Sequence, residues 1–303
     1  MGAILAKAIS LILIIGIGYA IKKFKWVSLD DFPKFSKIVL RITLPCALIT
    51  SFNEFNIVYN LLALTVIGLG VNYIQQLTGF LISRRKGRKK QAFSIINIGS
   101  YNIGLFATPY ISGFVGADSI IYSSLFDIGN SIGAAGIGYG WAISISEEKE
   151  KTTVWRFIKL MFSSPVFDTY LALLIMSLLK IHLPPAVITF TSVVGSANTF
   201  LAMLMIGIGL ELGLDRNKFK TAFTHLGLRY AFSIIFAVMT AFFIPFPKEV
   251  KTVLCMMFFA PLAAMTSGFT SDVGGDVETS AFMTSASIIV GIVAMPLVLA
   301  IMA

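Results

Sequence analysis

Asp127, Asn130 and Arg229 are ionisable or amide side chains set inside long apolar runs, where such groups are costly and usually carry function. Asp127 and Asn130, in FDIGN, are three residues apart and share one helix face. A carboxyl there suits a proton or cation carrier, and suits equally a fixed partner for a buried arginine. Arg229 lies about 15 Å deep in its run, at the helical rise of 1.5 Å per residue. Two readings of it stand: charge compensation for a carboxylate ligand, or a structural pair with Glu211 or Asp127 or with freed backbone carbonyls.

The stretch NIGSYNIGLFATPYISGFVG, residues 97–116, lies where a continuous membrane helix is expected, yet it holds Asn97, Asn102, Gly104 and Thr108-Pro109. A second stretch, FFAPLAAMTSGFTSDVGG, carries Pro261 amid small and hydroxyl residues that include Thr266 and Ser267. Proline removes an N–H and clashes with the carbonyl four residues back, that of Leu105 for Pro109 and of Met257 for Pro261. In lipid, irregular backbone survives only inside protein or beside a wet cavity, and Asn97 and Asn102 are the nearest replacement partners. One expectation is a pair of helices broken at mid-depth, whose second halves begin with unpaired amides suited to an anion. The other is that both prolines merely kink packed helices.

These residues need a membrane scaffold. The chain of 303 residues is 56% hydrophobic and 13% charged, far from soluble averages. Apolar runs near the length of a membrane span recur throughout, and strand-scale alternation is absent, which argues against a β-barrel. The net charge of +9 sits in short loops between apolar runs, so nucleic acid is not an expected partner. Cys46 and Cys255 lie in apolar segments, His182 and His225 are far apart, and neither CxxC nor HExxH spacing occurs. No metal or cofactor is expected. The N-terminal apolar run precedes its lysines rather than following them, and so reads as a retained first helix.

The all-α expectation is ten spans, at 4–21, 34–52, 57–82, 91–115, 119–146, 155–179, 185–211, 219–245, 249–272 and 279–302. Of the 24 Lys and Arg, all but Lys7, Lys180, Lys248, Lys251 and Arg229 fall in or beside the loops after spans one, three, five and seven. That bias puts those loops in the cytoplasm and both termini outside it; SRRKGRKK alternatively binds anionic lipid heads. The chain divides into a first five-helix unit at 1–146, a cytoplasmic linker at 147–154 and a second unit at 155–303. Five is odd, so the second unit enters the membrane inverted, a plan common in secondary transporters.

NIGLFATP, Asn102 to Pro109, resembles the N-x-G-x-x-G-x-P motif of the auxin efflux carrier family. SKIVLRITLPCALITSF resembles that family's second span, SSPVFDTYLALLIMSLLKIHLP its sixth, and GGDVE followed by a helix reaching MPL its C-terminal pattern. The chain departs from the family at Ala107, where a second glycine is usual, at Ser164 and at Ile288. The resemblance implies two inverted five-helix repeats with spans four and nine broken and crossing. It also implies a scaffold of spans one, two, six and seven, transport helices three to five and eight to ten, and pairing of two chains through the scaffold. Substrates in the family are organic anions, auxin in plants and malate-type carboxylates in bacteria. The short central loop is similar to that of the bacterial, malate-permease-like members.

The resulting expectation is a multi-pass plasma-membrane carrier of a small organic anion, working by alternating access and coupled to H+ or Na+. The substrate-binding candidates are Asn97, Asn102, Gly104, Thr108, Pro109, Arg229, Pro261, Thr266 and Ser267, and the coupling-ion candidates are Asp127 and Asn130. The rivals are an intramembrane aspartyl protease using Asp127 and Asp272, which lacks the Gly-x-Gly-Asp signature, and a passive anion channel. Asn72, Gln75 and Gln76 make span three polar, suiting either a cavity wall or bundle packing.

Overall fold

The computed structural model describes residues 2–53, 59–146, 155, 159, 162, 165–211 and 218–303. The linker at 147–154, most of the segment 155–164 with Ser164, and Arg216 lie outside the described residues. Among the described residues the chain is all-helical, with no strand.

Among the described residues, five helices are long and apolar enough to cross a membrane: Leu29–Phe52 (α2), Asn60–Ser83 (α3), Pro185–Gly209 (α9), Phe219–Phe243 (α10) and Val277–Met302 (α13). Between them lie α1 (Gly2–Lys23), α4 (Arg88–Ile98), α5 (Thr108–Val115), α6 (Asp118–Ser131), α7 (Tyr139–Ser146), α8 (Pro165–Leu178), α11 (Lys248–Met257) and α12 (Thr266–Asp272). Outward faces are apolar: Val66, Phe190, Val193, Phe242 and Phe243 are all exposed. Large apolar groups left facing out over so much of the surface indicate a lipid solvent rather than water.

Small residues bring the helices close, as expected where apolar burial gives little drive between helices in lipid. α1 lies along α9 with Gly18 against Leu204 and Gly207 against Ile15. α3 crosses α6 at Gly68 and Gly129, where an added Cβ would sit 2.3 Å from the Phe126 carbonyl oxygen and 1.8 Å from that of Thr65. The C-terminal part of α2 packs on α8 and on the start of α9, α4 packs on α3 and α7, and α11 and α12 pack on α13.

Among the described residues, three π-helical stretches, Val39–Thr43, Ile103–Ala107 and Ile132–Gly138, widen the backbone. The first two each end at or just before a turn that holds a proline, Pro45 or Pro109. The bonds Ala107 N to Asn102 O and Thr108 N to Ile103 O span five residues. Pro109 then falls in the first turn of α5, where its missing amide costs little.

Candidate functional site

The chain leaves helix at two places that meet. The first is Gly99–Asn102, between α4 and the π-stretch; the second is 258–265, between α11 and α12. The first interruption lies upstream of Pro109, not at it. Pro109 is absorbed by the π-helical turns, while Gly99 is extended and Ser100 is left-handed at φ 76°. Pro261 lies within its interruption.

The two interruptions are joined directly. The Asn102 amide donates to the Pro261 carbonyl at 2.8 Å, and the Ser100 and Thr266 hydroxyls are 3.4 Å apart. One turn away, the Asn97 amide nitrogen donates to the Thr270 hydroxyl at 2.9 Å, and its oxygen accepts from Ser280 at 2.7 Å.

Arg229, on α10, is fully buried beneath this crossing. One terminal nitrogen donates to Ile98 O at 2.8 Å, and the other to Ala260 O at 2.9 Å and Pro261 O at 3.3 Å. Its guanidinium carbon lies 4.3 Å from the centroid of the Tyr101 ring. The cation therefore sits where α4 ends and where the chain leaves α11, the places where the peptide dipoles present negative charge. Of the two readings of Arg229, the geometry is that of hydrogen bonding to freed carbonyls. Among the described residues, no carboxylate forms an ion pair with it.

The first interruption draws its other partners from α3 and α6 rather than from Asn97 and Asn102. The Asn72 side-chain oxygen accepts from Ser100 N at 2.7 Å. Asn130 accepts from Tyr101 N at 3.0 Å, donates to Tyr101 O at 2.9 Å and donates to Asp127 at 2.7 Å. Asn72 also donates to Asn130 at 3.1 Å, and Gln76 to the Gly133 carbonyl at 2.8 Å. Span three is thus polar because it packs in the bundle against the interrupted backbone. The other Asp127 oxygen accepts from the Tyr170 hydroxyl at 3.4 Å, and Asp272 accepts from Tyr139 at 2.7 Å. The two carboxyls proposed for a protease dyad have separate partners.

A cavity of about 210 Å³ opens beside the crossing. Asn102 and Ser267 line it with Thr284 and Ser285 of α13, Glu211 and apolar side chains of α9. The helix running from Ile103 through Val115 begins at this wall, and no side-chain cap closes its first turn. Thr266 instead lines a separate gap of only about 10 Å³, with Gln76 and Ser100.

The remaining candidates do not reach the cavity. Gly104 faces Leu44, Asp127 and Tyr170. The Thr108 hydroxyl donates to Ser123 at 3.0 Å, and the Pro109 carbonyl accepts from Thr199 at 3.2 Å. The sequence reading did not single out Thr284 and Ser285, although the hydroxyl-rich run TSAFMTSAS at the start of α13 was a visible signal. No protein-family model matches this sequence, and no curated protein matches it.

Proposed function

We propose that the chain is a secondary carrier for a small organic anion, of the auxin efflux carrier type, and that the cavity beside the two interruptions is its substrate site. In this reading ten spans form two inverted five-helix repeats in the plasma membrane. Helices α1, α2, α8 and α9 form the scaffold, and the rest form a unit that moves against it to alternate access. The packing of α1 on α9, and of α2 on α8 and α9, supports that grouping.

One observation carries the proposal: Asn102 sits at the cavity wall, at the uncapped start of a helix and one hydrogen bond from Pro261. A helix start offers amide donors and partial positive charge to a carboxylate. Arg229, already committed to three carbonyls, acts indirectly by holding the two interrupted chains together. Asp127, bonded to Asn130 beside Gly104, is the coupling candidate.

The test is uptake of radiolabelled malate and of an indole carboxylate into proteoliposomes. The reading expects saturable uptake of at least one. Asn102→Ala should reduce it at least tenfold with thermal unfolding unchanged, and Asp127→Asn should remove its dependence on a pH or Na+ gradient. Non-saturable flux, or full uptake by Asn102→Ala, would overturn the assignment.

A further inference from the structure

Another cavity, of about 530 Å³, is larger than the one beside the crossing. It lies at the lysine-rich end, between the starts of α4, α10 and α13. Among the described residues, Lys86, Lys89, Lys90, Lys218 and Lys220 line it against one carboxylate, that of Asp276. Lys218 is already bonded to Glu278 at 2.6 Å and Asp276 at 3.2 Å. Lys86, Lys90 and Lys220 are exposed at the rim.

Two helices begin at this cavity without a side-chain cap, α4 after Gly87 and α10 after Lys218. Their first-turn amides and dipoles add positive potential to that of the lysines. The third start, that of α13, is capped by the Asp276 carboxylate on Thr279 N at 3.1 Å. The floor is polar but closed. His225 is buried there, its Nδ1 donating to Thr221 O at 2.7 Å and its Nε2 lying 2.9 Å from the Ser94 hydroxyl. Phe93 packs edge-on against its ring.

We infer that this cavity is a binding site for a phosphate group, distinct from the proposed carboxylate site. Several like charges held together around one concavity repel one another until an anion enters. The donors approach from two chain segments and two helix starts, which matches a group with three oxygens and up to two charges better than a planar, singly charged carboxylate. Lysine is a common point-charge partner for phosphate. Two sources present this chemistry: the headgroup of an anionic phospholipid, and a free phosphate or soluble phosphate ester.

The full chain, purified in a neutral detergent, is titrated with inorganic phosphate at constant ionic strength set with NaCl, following thermal unfolding. In parallel it is placed in nanodiscs of phosphatidylcholine alone and of phosphatidylcholine with one-third phosphatidylglycerol. The triple variant Lys86→Gln, Lys90→Gln, Lys220→Gln is compared with a control of equal charge change, Arg84→Gln, Arg85→Gln, Lys37→Gln, whose positions do not line the cavity. The single variant Lys90→Gln serves as a milder probe should the triple variant fold poorly.

The expected result is saturable stabilisation by at least one source, weakened at least tenfold in midpoint by the triple variant and not by the control. Lysine-dependent stabilisation by phosphate identifies a soluble ligand, and by phosphatidylglycerol alone a lipid headgroup. Stabilisation by neither source, or stabilisation lost equally in the control, overturns the inference. The carboxylate uptake assay is unaffected by that outcome, so the two assignments fail separately.

Discussion

The backbone amide of Asn102 and the carbonyl of Pro261, 159 positions apart in the chain, are joined by a 2.8 Å hydrogen bond. Each belongs to a stretch that has left its helix, so each interruption supplies part of what the other lacks. A buried peptide group without a partner is expensive. Here Asn72, Asn130, Ser233, Ser287 and Arg229 meet backbone groups of Ser100, Tyr101, Phe258, Leu262 and Ala260, while the Tyr101 hydroxyl and Arg229 Nε find no partner among the described residues. Disorder in helix formation at one place is thereby converted into order between distant segments.

Arg229 should behave as a structural residue first. Arg229→Met would leave Ile98 O, Ala260 O and Pro261 O without their donor. Charge-assisted bonds contribute about 1.5–3 kcal/mol each, so a loss of several kcal/mol is expected, read as a large fall in the thermal midpoint in detergent. Arg229→Lys should recover only part of it, because a single ammonium lacks the planar fork that bridges both chain ends. An unchanged midpoint with lost transport would return Arg229 to a direct role at the substrate.

Gly68 and Gly70 are two residues apart on α3 and should respond oppositely to alanine. At Gly68 the new methyl would lie 2.3 Å from the Phe126 carbonyl oxygen, whereas at Gly70 nothing lies within 4 Å. Gly68→Ala must push α3 away from α6, and is expected to lower the yield of folded protein and the unfolding midpoint. Gly70→Ala should leave the midpoint unchanged or raise it, since alanine is favoured over glycine in a helix by about 1 kcal/mol. Equal responses would show that the close crossing is not a constraint.

The sequence foretold some of this arrangement and not the rest, for identifiable reasons. The helical class is plain from apolar runs without alternation. The density of Asn, Gly and Pro between Asn97 and Gly116 marks a damaged helix. Its break lies at Gly99–Asn102, not at Pro109, because the position depends on Asn72 and Asn130, which are distant in sequence and supply the bonds. Proline was the louder signal, but π-helical turns accommodate it. Asn102 and Ser267 reach the cavity while Thr108 and Gly104 face neighbouring helices. Which face a residue takes after an irregular turn follows from dihedrals such as the left-handed Ser100, and no residue spacing reports those.

Gln75 is fully buried beside the Tyr101 hydroxyl, and among the described residues neither its amide nor that hydroxyl makes a hydrogen bond of good geometry. An unsatisfied buried polar group costs about 1–3 kcal/mol, and replacing it with an apolar group of similar shape is close to neutral or better. Gln75→Met is therefore expected to raise the thermal midpoint, measured at neutral pH in the same detergent. A fall would mean that the amide serves a bound water or a second conformation.

Asp276 links pH to the start of α13. Burial alone raises its carboxyl pKa, but the Thr279 amide and hydroxyl and the Lys218 ammonium together more than offset that, leaving it below its ordinary value. Lys218 is raised, chiefly by its bond to Glu278 and then by Asp276. The signs follow directly. The carboxylate contribution is present above its unfolded pKa, about 3.9, and disappears as pH falls through the folded value. The lysine contribution is present below about 10.4 and disappears as pH rises through its folded value. Asp276→Asn keeps a capping oxygen but loses the charge. Its unfolding midpoint should lie below that of the parent at pH 7, and the gap should close progressively below pH 4. A constant gap from pH 7 to pH 3 would mean that the cap acts through shape alone. Subtracting one protein from the other removes the titration of every other carboxyl, so the closing gap reports Asp276 itself.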